Sequence, residues 1–386
     1  MILAEIQGFE RDLVAMRRHL HQQPELAFEE YETSAFVAAR LEEWGYEVTR
    51  GIGGTGVIGT LRNGNSPRSL GLRADMDALP IQEETGIDYA SRVPGKMHAC
   101  GHDGHTAMLL GAARYLAQAR PFTGTLHLIF QPAEEHISGA KRMVEEGLFE
   151  RFPCDAVFAL HNMPNVPLGH FMFKPGPIMA ASDLATITMR GAGGHSAMPH
   201  LAADPIVAAA TLVVALQSIV SRNRDPQEPA VLTVGTFHAG TVSNVIPDDA
   251  TLTVDIRTFS PQMRAFIEQR LVALSRAQAE SFGVVADIQY EKFYPVTSNA
   301  AAETEFVRDV ALRHAGPDRV IDLTQPFPYS EDFAYMLEVR PGSYFMLGIG
   351  NGPRLHTSTY DFNDEALAIG ASFWARLVRE YLKSGM

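Results

Sequence analysis

Three runs constrain the fold of this chain more than any other feature: SLGLRAD (69–75), TLHLIFQPAEE (125–135) and DAVFALHN (155–162). Each is almost continuously apolar where a half-exposed strand would alternate, the pattern of a strand covered on both faces. Each also ends in carboxylates or a histidine. Residues 3–20, 32–44 and 106–119 carry apolar positions at three- and four-residue spacing and predict helices, while YEVTR and GVIGTL predict short strands. Strands alternating with helices in this way predict an α/β sheet with polar groups gathered along one edge.

From residue 184 the pattern changes. ATITMRG, AVLTVGTFHAG, ATLTVDIRTF and VVADIQYEKF predict four strands, with helices over 204–220 and 262–280. The order βαββαβ is that of a ferredoxin-like unit, four antiparallel strands with two helices on one face. Residues of ligand type then resume in PYSEDFAYM and LHTSTYDFNDEA. The expected fold class is therefore α/β with two domains, residues 1–183 and 295–386 enclosing an inserted domain at 184–294.

A chain of 386 residues has length enough for two cores. Its 45 Asp and Glu outweigh 32 Lys and Arg by 13 charges, which argues against nucleic acid or an anionic membrane surface as a partner. Two cysteines, Cys100 and Cys154, make no disulfide framework and point to a reducing cytoplasm. The N-terminal residues lack the charge and cleavage pattern of a secretion signal, and no window reads as a membrane span. The expectation is a soluble protein.

The densest chemistry lies in MHACGHDGH, where Cys100, His102, Asp103 and His105 fall beside His98 just ahead of a helix. Thiolate and imidazole are good ligands for zinc and similar ions. Glu134 and Glu135 follow a buried strand, so one carboxylate can bind metal while its neighbour acts as general base. His161 and His356 each follow an apolar segment and complete a donor set of Cys100, His102, Glu135, His161 and His356. Asp75 and Asp77 share one face of a strand end; either could bind metal or hold a ligand histidine. In the inserted domain, GAGGHSAMPH places His195 where a closing domain could donate to an oxyanion, and Asn244 and Arg257 lie on the same sheet. Arg257 could grip a substrate carboxylate, although by residue type alone an arginine there reads first as a surface residue.

Two other readings compete. Gly51, Gly53 and Gly56 satisfy GxGxxG, but a strand follows where a dinucleotide site needs a helix. Cys100 with His102 or His105 could be a nucleophile and base, which would leave Glu134, Glu135, His161 and His356 without work.

MHACGHDGHTAMLLGAA, QPAEE, ALHNMP, GGHSAMPH, NVIPDDATLTVDIRT, SEDFAYM and LHTSTYDFNDEAL, in this order, resemble the M20 metallopeptidase family, in particular its amidohydrolases of N-acyl amino acids. RRHLHQQPELAFEEYET resembles the opening motif of that subgroup, with no chemical role legible in it. The resemblance implies a catalytic domain interrupted by a lid that often serves as a dimer interface. It implies two divalent ions per subunit, Mn²⁺ or Zn²⁺ with Co²⁺ or Ni²⁺ as alternatives, held by the five donors. It further implies Glu134 as general base and acid, Asp77 as the carboxylate behind a ligand histidine, and His195, Asn244 and Arg257 as substrate-binding residues. Asp75 stands where the wider family has histidine. A metal-binding homologue without activity, acting as a dimeric binding protein, would be expected to lack the base, and Glu134 is present.

Overall fold

The computed structural model of the chain describes residues 1–135 and 138–383. Two compact units emerge: Met1–Ile178, Ser298–Gln325 and Asp332–Met386 form the first, Met179–Thr297 and Pro326–Glu331 the second. The second unit begins five residues before the expected residue 184, because the strand Ala181–Arg190 starts ahead of ATITMRG. It also takes in Pro326–Glu331, which the sequence reading assigned to the first.

The first unit is built on eight strands, in the spatial order Glu47–Ile52, Gly56–Asn63, Gly124–Gln131, Ser69–Asp75, Ala156–Met163, Gly342–Gly348, Phe171–Phe173 and Val320–Asp322. The four central strands run parallel. All seven residues of Ser69–Asp75 are buried, as its apolar run requires of a strand covered on both faces. Because these four strands point the same way, the residues that follow Asp75, Gln131 and Gly348, and those closing Ala156–Met163, arrive at one edge.

On the sheet, the helix His102–Ala119 packs against Glu10–Gln22 and Glu365–Tyr381. The last of these is buried along most of its length, including Phe373, Trp374 and Leu377. Its approach to the first depends on Gly370, where an added Cβ would fall on the Met108 thioether. The helix expected over 3–20 is instead two, Ala4–Gln7 and Glu10–Gln22, separated at Gly8 and Phe9.

In the second unit, four antiparallel strands lie in the order Ala230–Ala239, Asp249–Thr258, Ala181–Arg190 and Val285–Tyr294. In chain order this is second, third, first, fourth, the ferredoxin-like arrangement. Pro205–Ser218 and Pro261–Ser281 pack on the sheet through Ala208, Leu212, Leu216, Ile267 and Leu271. Both start sharply: the Asp204 carboxylate accepts from the Ile206 and Val207 amides, and the Ser260 hydroxyl from Met263, each with proline at the first helical position. Counted with its π-helical extension, Pro205–Asn223 is long and apolar enough to cross a membrane by length and composition, a property the sequence reading did not single out. Its buried residues seat it on the ferredoxin-like core.

Candidate metal centre

Four connections converge at the carboxyl edge of the first sheet. The helix His102–Ala119 begins at His102 because Gly101 takes a left-handed backbone, φ 93°, open to glycine without strain. Its start is four residues ahead of the expected 106, so His102, Asp103 and His105 stand on its first turn. His161 lies within its strand rather than past its end. The strand ahead of Glu134 stops at Gln131, so the two glutamates lie on a turn and not on the extended segment expected of them. His356 arrives from the C-terminal segment, its amide donating to the Ala99 carbonyl at 2.8 Å.

Distances tie these groups together. Cys100 Sγ is 3.4 Å from His161 Nε2. His356 Nε2 is 3.2 Å from Glu135 Oε1, and His102 Nε2 is 3.8 Å from the same oxygen. Cys100 falls within two groups of clustered donors, one with His102 and His161, the other with Glu135 and His356. Glu134 joins His102 and Glu135 in a third. The five donors singled out in the sequence are therefore close neighbours.

Both inner histidines are oriented by their far nitrogens. His102 Nδ1 meets Asp77 Oδ1 at 3.2 Å, and His161 Nδ1 meets the Asn162 carbonyl at 2.7 Å. Each contact directs Nε2 inward as an acceptor, the form a metal ligand needs. His102 Nε2 is buried and has no hydrogen-bond partner among the described residues. Burial opposes a charge on His102, yet Asp75, Asp77 and Glu135 outweigh it and raise the imidazole to about 10. A site that draws a proton this strongly is short of positive charge. Divalent cations supply that charge at a donor set of thiol, imidazole and carboxylate, so the residues fit such ions.

Burial also pushes the Cys100 thiol well above its usual value, with Glu135, Glu134 and Asp75 adding to the effect. A cysteine nucleophile and a cysteine ligand both act as the thiolate, and a cation bound beside Cys100 would supply the charge that favours it. Burial holds His161 well below the usual imidazole range, in the neutral state.

Asp75 and Asp77 part company. Asp77 places Oδ1 on His102 and accepts the Glu135 amide on Oδ2 at 2.9 Å. Asp75 is spent elsewhere, on Arg73 at 2.7 Å and His105 Nδ1 at 2.6 Å. His105 in turn accepts the Asn162 amide on Nε2 at 2.9 Å, leaving it no lone pair for a metal. Asn162 also donates to the Cys100 carbonyl and accepts from Tyr360, fastening the cysteine loop to its strand.

Sequence reasoning missed Arg73, His105 and Asn162 as supports, although a lone arginine within an apolar strand was a signal. It also assigned no role to the N-terminal motif. His21 Nδ1 contacts Asp103 at 2.8 Å, beside buried Arg17. Burial opposes the His21 charge, but Asp103 and Glu83 raise it to about 9, so it is cationic at neutral pH and anchors the first helical turn. Glu30 accepts the Ala133 amide at 2.8 Å. Ala133 has φ 54°, a left-handed conformation costing about 1–2 kcal/mol. Burial raises the Glu30 carboxyl to about 7, and a hydrogen bond to it contributes about 0.5–1.5 kcal/mol, comparable with that strain.

In the second unit, Gly194–His195 pairs with Val245–Ile246, and the Ser196 amide donates to the Asn244 carbonyl, so His195 and Asn244 share one exposed ribbon. Gly193 permits this approach, since a Cβ there would strike the Ile246 carbonyl. The Ala197 amide donates to His195 Nδ1 at 3.1 Å. Arg257 is not brought into that ribbon. Its Nε and one terminal nitrogen grip Asp255 at 3.0 and 2.9 Å, and the other donates to Ser330. The fork expected to take a substrate carboxylate is thus held by Asp255.

Residues 71–380 match peptidase family M20/M25/M40. Hippurate hydrolase of Campylobacter jejuni is 44% identical over 99% of this chain and 100% of its own length. N-acetyl-L-cysteine deacetylase of Bacillus subtilis is 42% identical over 95% of this chain and 86% of its own. Among solved structures, a dinuclear metal-binding peptidase of the M20 family from Bacillus subtilis superposes with a TM-score of 0.86 at 33% identity, covering 98% of this chain and 99% of its own.

Proposed function

The chain belongs to peptidase family M20/M25/M40 and is a hydrolase acting on amide bonds, and from that premise we propose that it cleaves N-acyl amino acids of the hippurate or N-acetyl-amino-acid type. The observation that carries the reading is the clustering of five donors in overlapping groups, with a buried His102 Nε2 that has no hydrogen-bond partner among the described residues. Cys100, His102, Glu135, His161 and His356 would hold two divalent ions, Mn²⁺ or Zn²⁺, with Co²⁺ or Ni²⁺ as alternatives. Bound there, the ions would supply Lewis acidity to the scissile carbonyl and to the attacking water.

The chain's own residues do the rest. Glu134 takes the proton from the attacking water and returns it to the departing amine. Asp77 keeps His102 in the tautomer that presents Nε2 and holds the Glu135 backbone through its amide. His195 donates toward the oxygen on which charge develops, and Asn244 lies beside it to bind the polar end of the substrate. Arg257 is assigned to a substrate carboxylate, for which Asp255 is the competing partner on its fork. The protein works in the cytoplasm, in keeping with two free, buried cysteines.

Protein reconstituted with Mn²⁺ or Zn²⁺ is expected to release free amine from some member of a panel of N-acetyl, N-benzoyl and aminoacyl amino acids. A chelator is expected to abolish the activity and added metal to restore it. Chelator-resistant turnover would sink the metal reading and favour the thiol one.

The second unit we assign to homodimer formation. Its helix Pro205–Ser218 exposes Val207 and Val214, the latter 73% accessible, and the neighbouring edge strand Ala230–Ala239 exposes Val231 and Phe237. An apolar strand edge of ten residues is a template for pairing with a second copy. Light scattering is expected to give a dimer for the wild type and a monomer for Val214→Glu with Phe237→Asp. A monomeric wild type at micromolar concentration would refute the assignment.

A further inference from the structure

Two sequence features stand outside the metal-centre chemistry: the motif HQQPELAFEE and the glycine-rich GIGGTG. They meet at one buried carboxylate. Glu30, at the start of the helix Tyr31–Glu43, is fully buried. Thr55, in the turn of the glycine-rich hairpin, donates its hydroxyl to Glu30 Oε2 at 2.5 Å, and Glu30 Oε1 accepts the Ala133 amide at 2.8 Å. Gly56 brings the hairpin close beneath this turn, where a Cβ would lie 3.2 Å from the Pro132 ring.

Ala133 immediately precedes Glu134 and has a left-handed backbone that alanine does not adopt unaided. Its carbonyl accepts the Gly139 amide at 3.0 Å. On the other side of Glu134, the Glu135 amide is held by Asp77 at 2.9 Å. The backbone flanking Glu134 is therefore gripped by two carboxylates, Glu30 ahead of it and Asp77 behind. We infer that Glu30 is a positioning residue for Glu134, acting through the Ala133 amide and itself oriented by Thr55. The inference rests on the reading of Glu134 as the general base. A base displaced by about 1 Å can lose about 10²-fold in rate, so a clamp this remote has a measurable effect on the reaction.

The test is a double-mutant cycle between Glu30 and Glu134 on the metal-loaded full chain, with kcat, KM and metal content measured for each variant. Glu30→Ala is expected to lower kcat by about 10²-fold with KM and metal content little changed, since the Glu135 amide keeps its own hold on Asp77 and the other four donors lie on other segments. Glu30→Gln, which keeps an acceptor for the Ala133 amide, is expected to recover most of that loss. In a Glu134→Gln background, Glu30→Ala is expected to change kcat by less than about 2-fold, because the group it positions is gone. An equal loss in both backgrounds would mean that Glu30 serves the fold in general and would overturn the inference. Wild-type turnover in Glu30→Ala beside an inactive Glu134→Gln would overturn the clamp alone. Wild-type turnover in Glu134→Gln would instead overturn the general-base reading on which the clamp rests. Should Glu30→Ala fail to fold, Thr55→Val removes only the hydroxyl that orients Oε2. The expected result is then a smaller fall in kcat that disappears in the Glu134→Gln background, and a fall that persists there counts against the clamp.

Discussion

Glu134→Gln is expected to retain its metal ions and to lose turnover by about 10²–10⁴-fold, the contribution of a general acid-base group. That factor is about 2.7–5.5 kcal/mol of barrier. Glutamine preserves the shape of a side chain that is 7% exposed, so the backbone contacts of Ala133 and Glu135 have no cause to move. Glu134 shares a donor group with His102 and Glu135, but the two groups built on Cys100, with His102 and His161 and with Glu135 and His356, do not include it. What disappears is the capacity to accept a proton. Elemental analysis alongside steady-state kinetics separates the two properties, and a variant with normal metal content and normal kcat would remove Glu134 from the chemistry.

Cys100→Ser is expected to act at the opposite point, on metal content before rate. Cys100 is common to two donor groups, so its loss affects both at once. The hydroxyl of serine does not ionise as a thiol does beside a cation. Losing a group that merely supports a ligand costs about 10–100-fold in affinity, and loss of the ligand itself is expected to exceed that. Dialysed Cys100→Ser should therefore carry clearly less metal than the wild type, with activity partly recovered at high added metal. Unchanged metal content with abolished turnover would favour Cys100 as nucleophile.

The N-terminal motif carried no chemistry in the sequence because its residues work at a distance. Arg17 and His21 act on Asp103. Glu30 acts on Ala133, 103 positions away. Nothing in local spacing relates a glutamate near a helix start to an alanine beyond a distant strand. The glycine-rich hairpin misleads for the same reason: its pattern suggests phosphate binding, while its place beneath Pro132 makes it a support for a turn.

Asp75 and Asp77 mark where sequence stops. Strand periodicity puts both on one face, and to that extent they are interchangeable. Arg73 and His105 take up Asp75, while His102 and the Glu135 amide take up Asp77. That choice arises only when distant segments pack together.

By itself the sequence determined the α/β sheet with polar groups along one edge, the ferredoxin-like order of the second unit and the chemical types of the donors. Apolar period and ligand chemistry are properties of neighbouring residues and survive any packing. Tertiary structure alone decided which nitrogen of His102 faces inward, which aspartate supports it, and how the turn ahead of Glu134 is held. Those depend on single buried hydrogen bonds, whose partners come from segments far apart in the chain.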